Sequence, residues 1–403
     1  MAADDDTDNV STRDGEEVTE TQETSWLSRL GQSFAGIIFG ILLIVASCVL
    51  LFWNEGRAVT TARSLAEGAG LVRTVAPDTV DPANEGKLVH VTGMLSATGP
   101  ATDNDFAVKS DGVRLVRHVE MFQWTEESES ESSKKLGGGE TTKTTYKYKR
   151  DWVDKPVDSS KFHTRDGHAN PQMTWRLRQV LPPGLKLGAF SMPESLMRGF
   201  GKEEPLTIGD EQVAAMQKHT QKPVQAIDGA IYVGKDPAQP SVGDFKITFA
   251  EVRAQTASVV ARQAGPTFEA YRTRAGGNVE LISAGSIPSA DMFKEAQDDN
   301  RIWTWLIRLG GCVLMFIGFA LIMSPLSVLA DVIPILGDIV GAGTSIVAFL
   351  CTVAIAPVVI AIAWFAYRPV VALITLVVGG ALVAGVVYLS RQRKARKPAA
   401  SHA

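Results

Sequence analysis

At 403 residues, 45% hydrophobic and 21% charged with a formal net charge of −4, the chain has room for a soluble domain plus a membrane bundle. This charge balance offers no basic footprint for nucleic acid. Cys48, Cys312 and Cys351, the three cysteines, all lie in long apolar runs, which excludes a disulfide framework in the polar middle.

Residues 1–33 hold nine acids against two arginines and read as an acidic, disordered cytosolic tail. Phe34–Trp53 is twenty residues without a charge. A helix of that length rises about 30 Å, enough to cross the hydrocarbon core, and the run is too long for a signal peptide's apolar segment. Gly36 and Gly40, four apart, mark a face on which helices can approach closely, and they are the candidate helix-packing residues.

Arg57–Val72 predicts a short helix leaving the membrane. Residues 54–300 then read as an α+β, β-rich domain, with strands at 88–94, 113–124, 144–152, 172–181, 230–233, 245–252, 258–262 and 278–283, and with short helices at 193–200 and 212–219. Residues 117–127 and 143–154 form a hairpin across the polar, Gly-rich stretch 128–142, which reads as a long mobile tip. In its second arm Tyr146, Tyr148 and Trp152 alternate with Lys147 and Lys149, as a half-buried strand requires.

Further uncharged runs extend over 309–330, 339–367 and 369–390, giving helices at about 306–328, 341–367 and 369–390. Arg368–Pro369 divides the last two into a helical hairpin, and Pro357 predicts a kink. The fold class is therefore a membrane α-helical bundle of four transmembrane helices, over 34–53 and 302–390, plus the β-rich domain. A basic tail, 391–403, carries Arg391, Arg393, Lys394, Arg396 and Lys397, so the positive-inside rule places both termini in the cytosol and the domain outside it. Arg57, Arg63, Arg301 and Arg308 flank spans on the outer side and weigh against that orientation.

No zinc-protease, nucleophile-elbow, phosphate-loop or paired-cysteine spacing occurs. His118 and Glu120 share one face of a strand, with His163 and His168 nearby, which leaves a metal site conceivable, although two ligands are not a site. No ionisable residue lies inside a span, which weighs against transport; Arg308, at a span edge, reads as snorkelling. Asp331 and Asp338 flank Pro334 in an apolar connection, where an amphipathic turn would keep both acids toward water.

In order along the chain, Asn54-Glu55-Gly56-Arg57-Ala58, Ser64-Leu65-Ala66-Glu67-Gly68, Asn84-Glu85-Gly86, Arg117-His118-Val119-Glu120-Met121-Phe122-Gln123-Trp124, Gly167-His168, Asn170-Pro171, Val242-Gly243-Asp244, the Asp331, Pro334, Asp338 connection and Trp364 with Tyr367-Arg368-Pro369 form a set of blocks. Together they resemble the transmembrane protein 43 family, also called LUMA, over roughly residues 34–390. The resemblance implies four spans, cytosolic ends, a luminal-type domain, self-association and a scaffolding role without enzymatic activity or cofactor. Its implied setting is the endoplasmic reticulum and inner nuclear membrane in a eukaryote, or the plasma (inner) membrane in a bacterium; the alanine-rich ends suit a bacterial relative, which has no lamina or emerin-like partner. Expected partners are the lipid bilayer, further copies of the chain and other membrane proteins. Rival expectations are a channel or transport accessory subunit, which needs a polar path between spans, and an envelope- or lipid-modifying enzyme, which needs clustered acid, base or nucleophile in one pocket.

Overall fold

The computed structural model describes residues 10–14, 17–370, 373 and 377. Its helices are α1 (Trp26–Leu71), α2 (Glu194–Met197), α3 (Asp210–Gln217), α4 (Ser289–Ala330) and α5 (Pro334–Tyr367). Its longer strands are β1 (Val10–Asp14), β2 (Glu17–Thr24), β3 (Leu88–Ser96), β4 (Arg114–Lys134), β5 (Glu140–Val153), β6 (Val224–Ile227), β7 (Ala230–Val233), β8 (Phe245–Val252) and β9 (Thr256–Ala264). Two compact units result, one strand-rich (residues 1–25, 64–135 and 139–296) and one helical (26–63, 136–138 and 297–403).

In the strand-rich unit one sheet runs β1-β2-β5-β4-β8-β7-β6, with Arg178–Val180 beside β4 and Glu204–Leu206 beside β8. In the other, β3 pairs with β9 directly and also through Lys186–Leu187, Phe190–Ser191 and Thr267–Glu269. The path closes into a ring, with Arg73–Val75 beside β3 and Leu281–Ala284 beside β9 outside it. The alternation of β8, with Phe245, Ile247 and Phe249 buried on one side, drives its inward face into a core with Leu115, Val119 and Met121 of β4. A second core gathers Val89, Val91 and Leu95 of β3 with Val259 and Ala261 of β9.

Two expectations for this unit need correction. The stretch 128–142 is not a mobile tip, because β4 and β5 stay paired out to Lys134 and Glu140, and only five residues turn between them. Ser and Glu on β4 face Thr and Lys on β5: Ser130 meets Thr144 at 3.0 Å, Ser132 meets Thr142 at 2.9 Å, and Lys149 pairs with Glu127 at 2.6 Å. Gly137 and Gly138, at φ 91° and 83°, supply the left-handed backbone of the turn.

Nor do residues 10–14 and 17–24 form a disordered tail. β2 adds antiparallel to β5, with Val18 opposite Tyr146 and buried beside Tyr148 and Phe162, and with Glu17 3.7 Å from Lys147. The β-branched Val18, Thr19 and Thr21 suit an added strand, and its acids complement the lysines of β5. A strand pairs only within its own compartment. The β2–β5 pairing and a bilayer-crossing α1 therefore exclude one another.

In the helical unit α1, α4 and α5 are long and apolar enough to cross a membrane. The short helix expected after the first span is the continuation of α1, whose alanine- and leucine-rich sequence never breaks. The fourth expected span, 369–390, lies outside the described residues except at 369, 370, 373 and 377, which are helical; the tail 391–403 lies outside them entirely. Leu51, Met315 and Ala356 form the buried centre, flanked by Cys48 and Cys312, and all three cysteines are free.

Candidate functional site

The first block of the resemblance, on α1, organises one end of the helical unit. Glu55 is 3% exposed and accepts from Arg308 Nε at 2.6 Å and Nη2 at 2.9 Å, a two-pronged pair, and from Trp364 Nε1 at 2.9 Å. The Arg308 guanidinium also stands 4.7 Å over the Trp305 ring. Charges this well surrounded offset much of their desolvation cost. Next to them Asn54 donates to the Thr304 carbonyl at 3.1 Å, and Arg57 donates to Asn54 Oδ1 (3.2 Å), Asn300 Oδ1 (3.1 Å) and Thr304 Oγ1 (3.1 Å). Asn300 returns a bond to the Ala58 carbonyl at 3.0 Å. Gly56 is needed because Tyr367 lies on it: an added Cβ would fall 2.6 Å from the phenol Cζ. Arg63 Nη2 reaches the Tyr367 carbonyl at 2.7 Å, and the Arg368 amide caps α5 on the Trp364 carbonyl. Pro369 follows that cap, where the chain leaves α5.

At the opposite ends of α1 and α4, Asp331 is 1% exposed and pairs with Arg29 Nη2 at 2.7 Å. Gly337 makes room, since a Cβ there would lie 1.7 Å from Asp331 Oδ1, and Pro334 opens α5 at a position that needs no amide proton. This corrects the acidic patch: Asp331 turns inward to a cation, whereas Asp338 is exposed. Gly36 and Gly40 do pack, but within the chain. A Cβ on Gly40 would lie 2.6 Å from the Gly318 carbonyl oxygen and one on Gly318 2.8 Å from that of Gly40, while Gly36 faces Ser324 at 3.7 Å. The close-approach face of α1 is thus taken by α4.

The blocks of the strand-rich unit are equally self-satisfied. Arg117, 5% exposed, pairs with Asp103 (2.9 Å) and Asp105 (2.8 Å) over the Phe106 ring. The Arg117 bond holds the Asp105 carboxyl below its usual range, and burial pushes Asp103 up. His118 meets Glu203 at 2.9 Å, and Arg114 takes the other oxygen of Glu203 at 3.2 Å; Glu120 lies 4.0 Å from Lys246. His163 stacks on Tyr146 and His168 on Tyr148, with ring centroids 4.1 and 4.0 Å apart. Among the described residues no group of three or more His, Cys, Asp or Glu could hold a metal ion. His118 and Glu120 share a face but take separate partners.

Asn170 mimics a neighbouring strand, its amide accepting from the Trp124 N–H at 2.7 Å and donating to the Trp124 carbonyl at 2.9 Å. Buried Gln123 does the same for the following segment, donating to the Lys155 carbonyl and accepting from Val157. Phe122 exchanges backbone bonds with Gly243 and Asp244. Three separated blocks, around 122–124, 168–171 and 242–244, therefore converge at the middle of β4.

Sequence reasoning missed Arg29, Asn300 and Thr304, and it took Arg308 as snorkelling although it turns toward Glu55. The available signal was complementary charge at matching depth: Glu55 and Arg308 each sit just beyond an apolar run, and so do Arg29 and Asp331.

The family model for transmembrane protein 43 matches residues 121–369. Transmembrane protein 43 of Rattus norvegicus is 31% identical over 369 residues, 87% of this chain and 89% of the relative. That of Homo sapiens is 30% identical over 388 residues, 92% and 94% of the two chains, and the Drosophila melanogaster homolog is 29% identical over 356 residues, 85% and 91%. No solved structure matches the chain. A match over most of the length makes this membrane protein a member of the transmembrane protein 43 family.

Proposed function

We propose that the protein is a membrane-organising scaffold, a multi-pass anchor that self-associates, presents its strand-rich domain to membrane or protein partners and catalyses no reaction. One observation carries the reading: Glu55, Arg308, Arg29, Asp331, Arg117 and Asp103 spend their charges on one another instead of converging on a pocket. Rigid, internally neutralised helices and a sheet of 7 strands along its main path suit a body that positions others. The proposed topology has four spans, both termini cytosolic and the domain opposite, in the plasma (inner) membrane of a bacterium or the endoplasmic reticulum and inner nuclear membrane of a eukaryote.

This topology requires β2 to leave β5 in the bilayer, which exposes the β5 edge as a template for a second copy. Thr19 and Thr145 test it, since their hydroxyls lie 3.3 Å apart in the paired state. With Cys48, Cys312 and Cys351 replaced by alanine, the pair Thr19→Cys and Thr145→Cys oxidised in native membranes should give no intramolecular disulfide. If that disulfide forms, tail and domain share a compartment and the proposed topology is wrong. Self-association is read separately by cross-linking in membranes, where a chain that stays monomeric at every expression level would overturn the scaffold reading.

A further inference from the structure

Within the helical unit an open groove of about 410 Å³ runs between α1 and α5. Its walls are Cys48, Val49, Phe52 and Trp53 on one side and Val359 and Ile362 on the other, and Tyr367 forms the rim. The size falls within the roughly 300–1,000 Å³ usual for small-molecule sites. Tyr367 is fixed there by its contact with Gly56 and by its ring 5.3 Å from that of Phe52. Val49, Trp53 and Ile362 are more than half exposed, so apolar surface is offered at the depth where a bilayer begins.

The charge at the rim that has no carboxylate partner among the described residues is positive. Arg308 is neutralised by Glu55, and Arg57 is saturated by amide and hydroxyl oxygens. Arg63 gives one N–H to the Tyr367 carbonyl, and neither it nor the adjacent Arg368 has a carboxylate partner among the described residues. The next apolar run does not fill the groove with the residues described, because Val370, Leu373 and Val377 form a helical stripe and each is at least 60% exposed.

We propose that this groove is a binding site for an anionic glycerophospholipid, with an acyl chain between α1 and α5 and the headgroup phosphate held by Arg63 and Arg368. Guanidinium pairs with phosphate by charge-assisted hydrogen bonds, and two guanidinium groups can share one phosphate. Together they should give an affinity preference of about tenfold or more over a zwitterionic lipid with the same tails.

The probes are phosphatidylglycerol and phosphatidylcholine, titrated against the full chain in detergent and counted by native mass spectrometry. Phosphatidylglycerol should be retained at about one-tenth the concentration of phosphatidylcholine. Arg63→Gln with Arg368→Gln should bring the two lipids within about twofold, and Ile362→Trp, which fills the groove from an exposed position, should lower retention of both. Equal retention by the unaltered chain overturns the proposal, as does an unchanged preference in the double arginine variant. It also fails if Cys48 forms a disulfide in membranes with a cysteine introduced between residues 371 and 390, because the chain's own segment would then occupy the groove. These readouts depend on neither the scaffold role nor self-association.

Discussion

Replacing Glu55 by leucine leaves the Arg308 guanidinium without its counter-ion in a place where its side chain is only 16% exposed. Removing one partner of a buried pair costs about 3–5 kcal/mol, and partial access to water puts this case near the lower bound, about 3 kcal/mol. Arg308→Leu leaves the 3%-exposed carboxylate with one remaining donor, Trp364 Nε1, for a similar cost of about 3 kcal/mol. The double replacement buries no charge, and its cost reduces to the stranded Trp364 N–H, about 2 kcal/mol. The cycle should therefore show a coupling of at least about 2 kcal/mol, far above the roughly 0.5 kcal/mol expected of independent sites. Unfolding of the full chain in detergent micelles, followed by far-ultraviolet circular dichroism against increasing dodecyl sulfate, measures all four corners. Additive costs would mean that the pair is not a closed electrostatic unit, and the account of this end of the bundle would fail.

Asp331→Leu should cost about 3 kcal/mol in the same assay by removing the carboxylate that pairs with Arg29, whereas Asp338→Leu, at an exposed position, should stay within about 0.5 kcal/mol; equal effects would contradict the inward placement of Asp331. Gly40→Leu must displace the Gly318 backbone and should cost about 1–3 kcal/mol, more than Gly36→Leu, whose nearest neighbour is a side-chain oxygen; the reverse order would refute the α1–α4 crossing. Burial lowers the pKa of His90, whose Nε2 lies 3.0 Å from the Ile287 carbonyl, below its ordinary 6.5. The unfolded chain therefore binds that proton more readily, so stability is fully present above about pH 6.5 and declines as the pH falls below it. Amide exchange across β3 and β9 should quicken from pH 7 to pH 5 after correction for intrinsic rates, and His90→Gln should flatten the trend.

The apolar runs were legible because a span is a local property: twenty uncharged residues cross a bilayer whatever surrounds them. Strands with clear β-branched or aromatic runs, such as Ala230–Val233 and Phe245–Val252, appear at the expected bounds. The Ser- and Gly-rich stretch 128–142 misled because composition argued for a loop, while its stability comes from the opposing arm, a partner 14 residues away in sequence for Ser130. Residues 17–24 misled for the same reason, since net acidity favours disorder only until a lysine-bearing edge is present. The blocks identified the right residues but not their use. Complementary charge beyond the apolar runs marks Glu55 and Arg308 as candidates, but Asn54-Glu55-Gly56-Arg57 alone does not single out Arg308 among the arginines that flank the spans, because the pairing is fixed only when α4 returns beside α1.

The two buried ion pairs gain a joint meaning from their spacing. Arg29 and Glu55 lie on α1, Arg308 lies on antiparallel α4 and Asp331 directly follows its last residue, with each acid facing a base on the neighbouring element. At 1.5 Å per residue the pairs are separated by about 39 Å along α1 and about 35 Å along α4. A bilayer has about 30 Å of hydrocarbon and about 40–45 Å including the headgroup regions, so both pairs fall in the interfacial zones. There a charge is affordable, and an opposite charge on the neighbouring helix can find it. The apolar faces between them would tolerate sliding, since one aliphatic ridge resembles the next, but a slip of one turn, 5.4 Å, would break both pairs at once and move the Gly40–Gly318 contact onto larger side chains. The polar residues at the span ends thus fix the register of helices whose apolar surfaces leave it open, which gives the Asn54-Glu55-Gly56-Arg57 block and the Asp331, Pro334, Asp338 block one joint role.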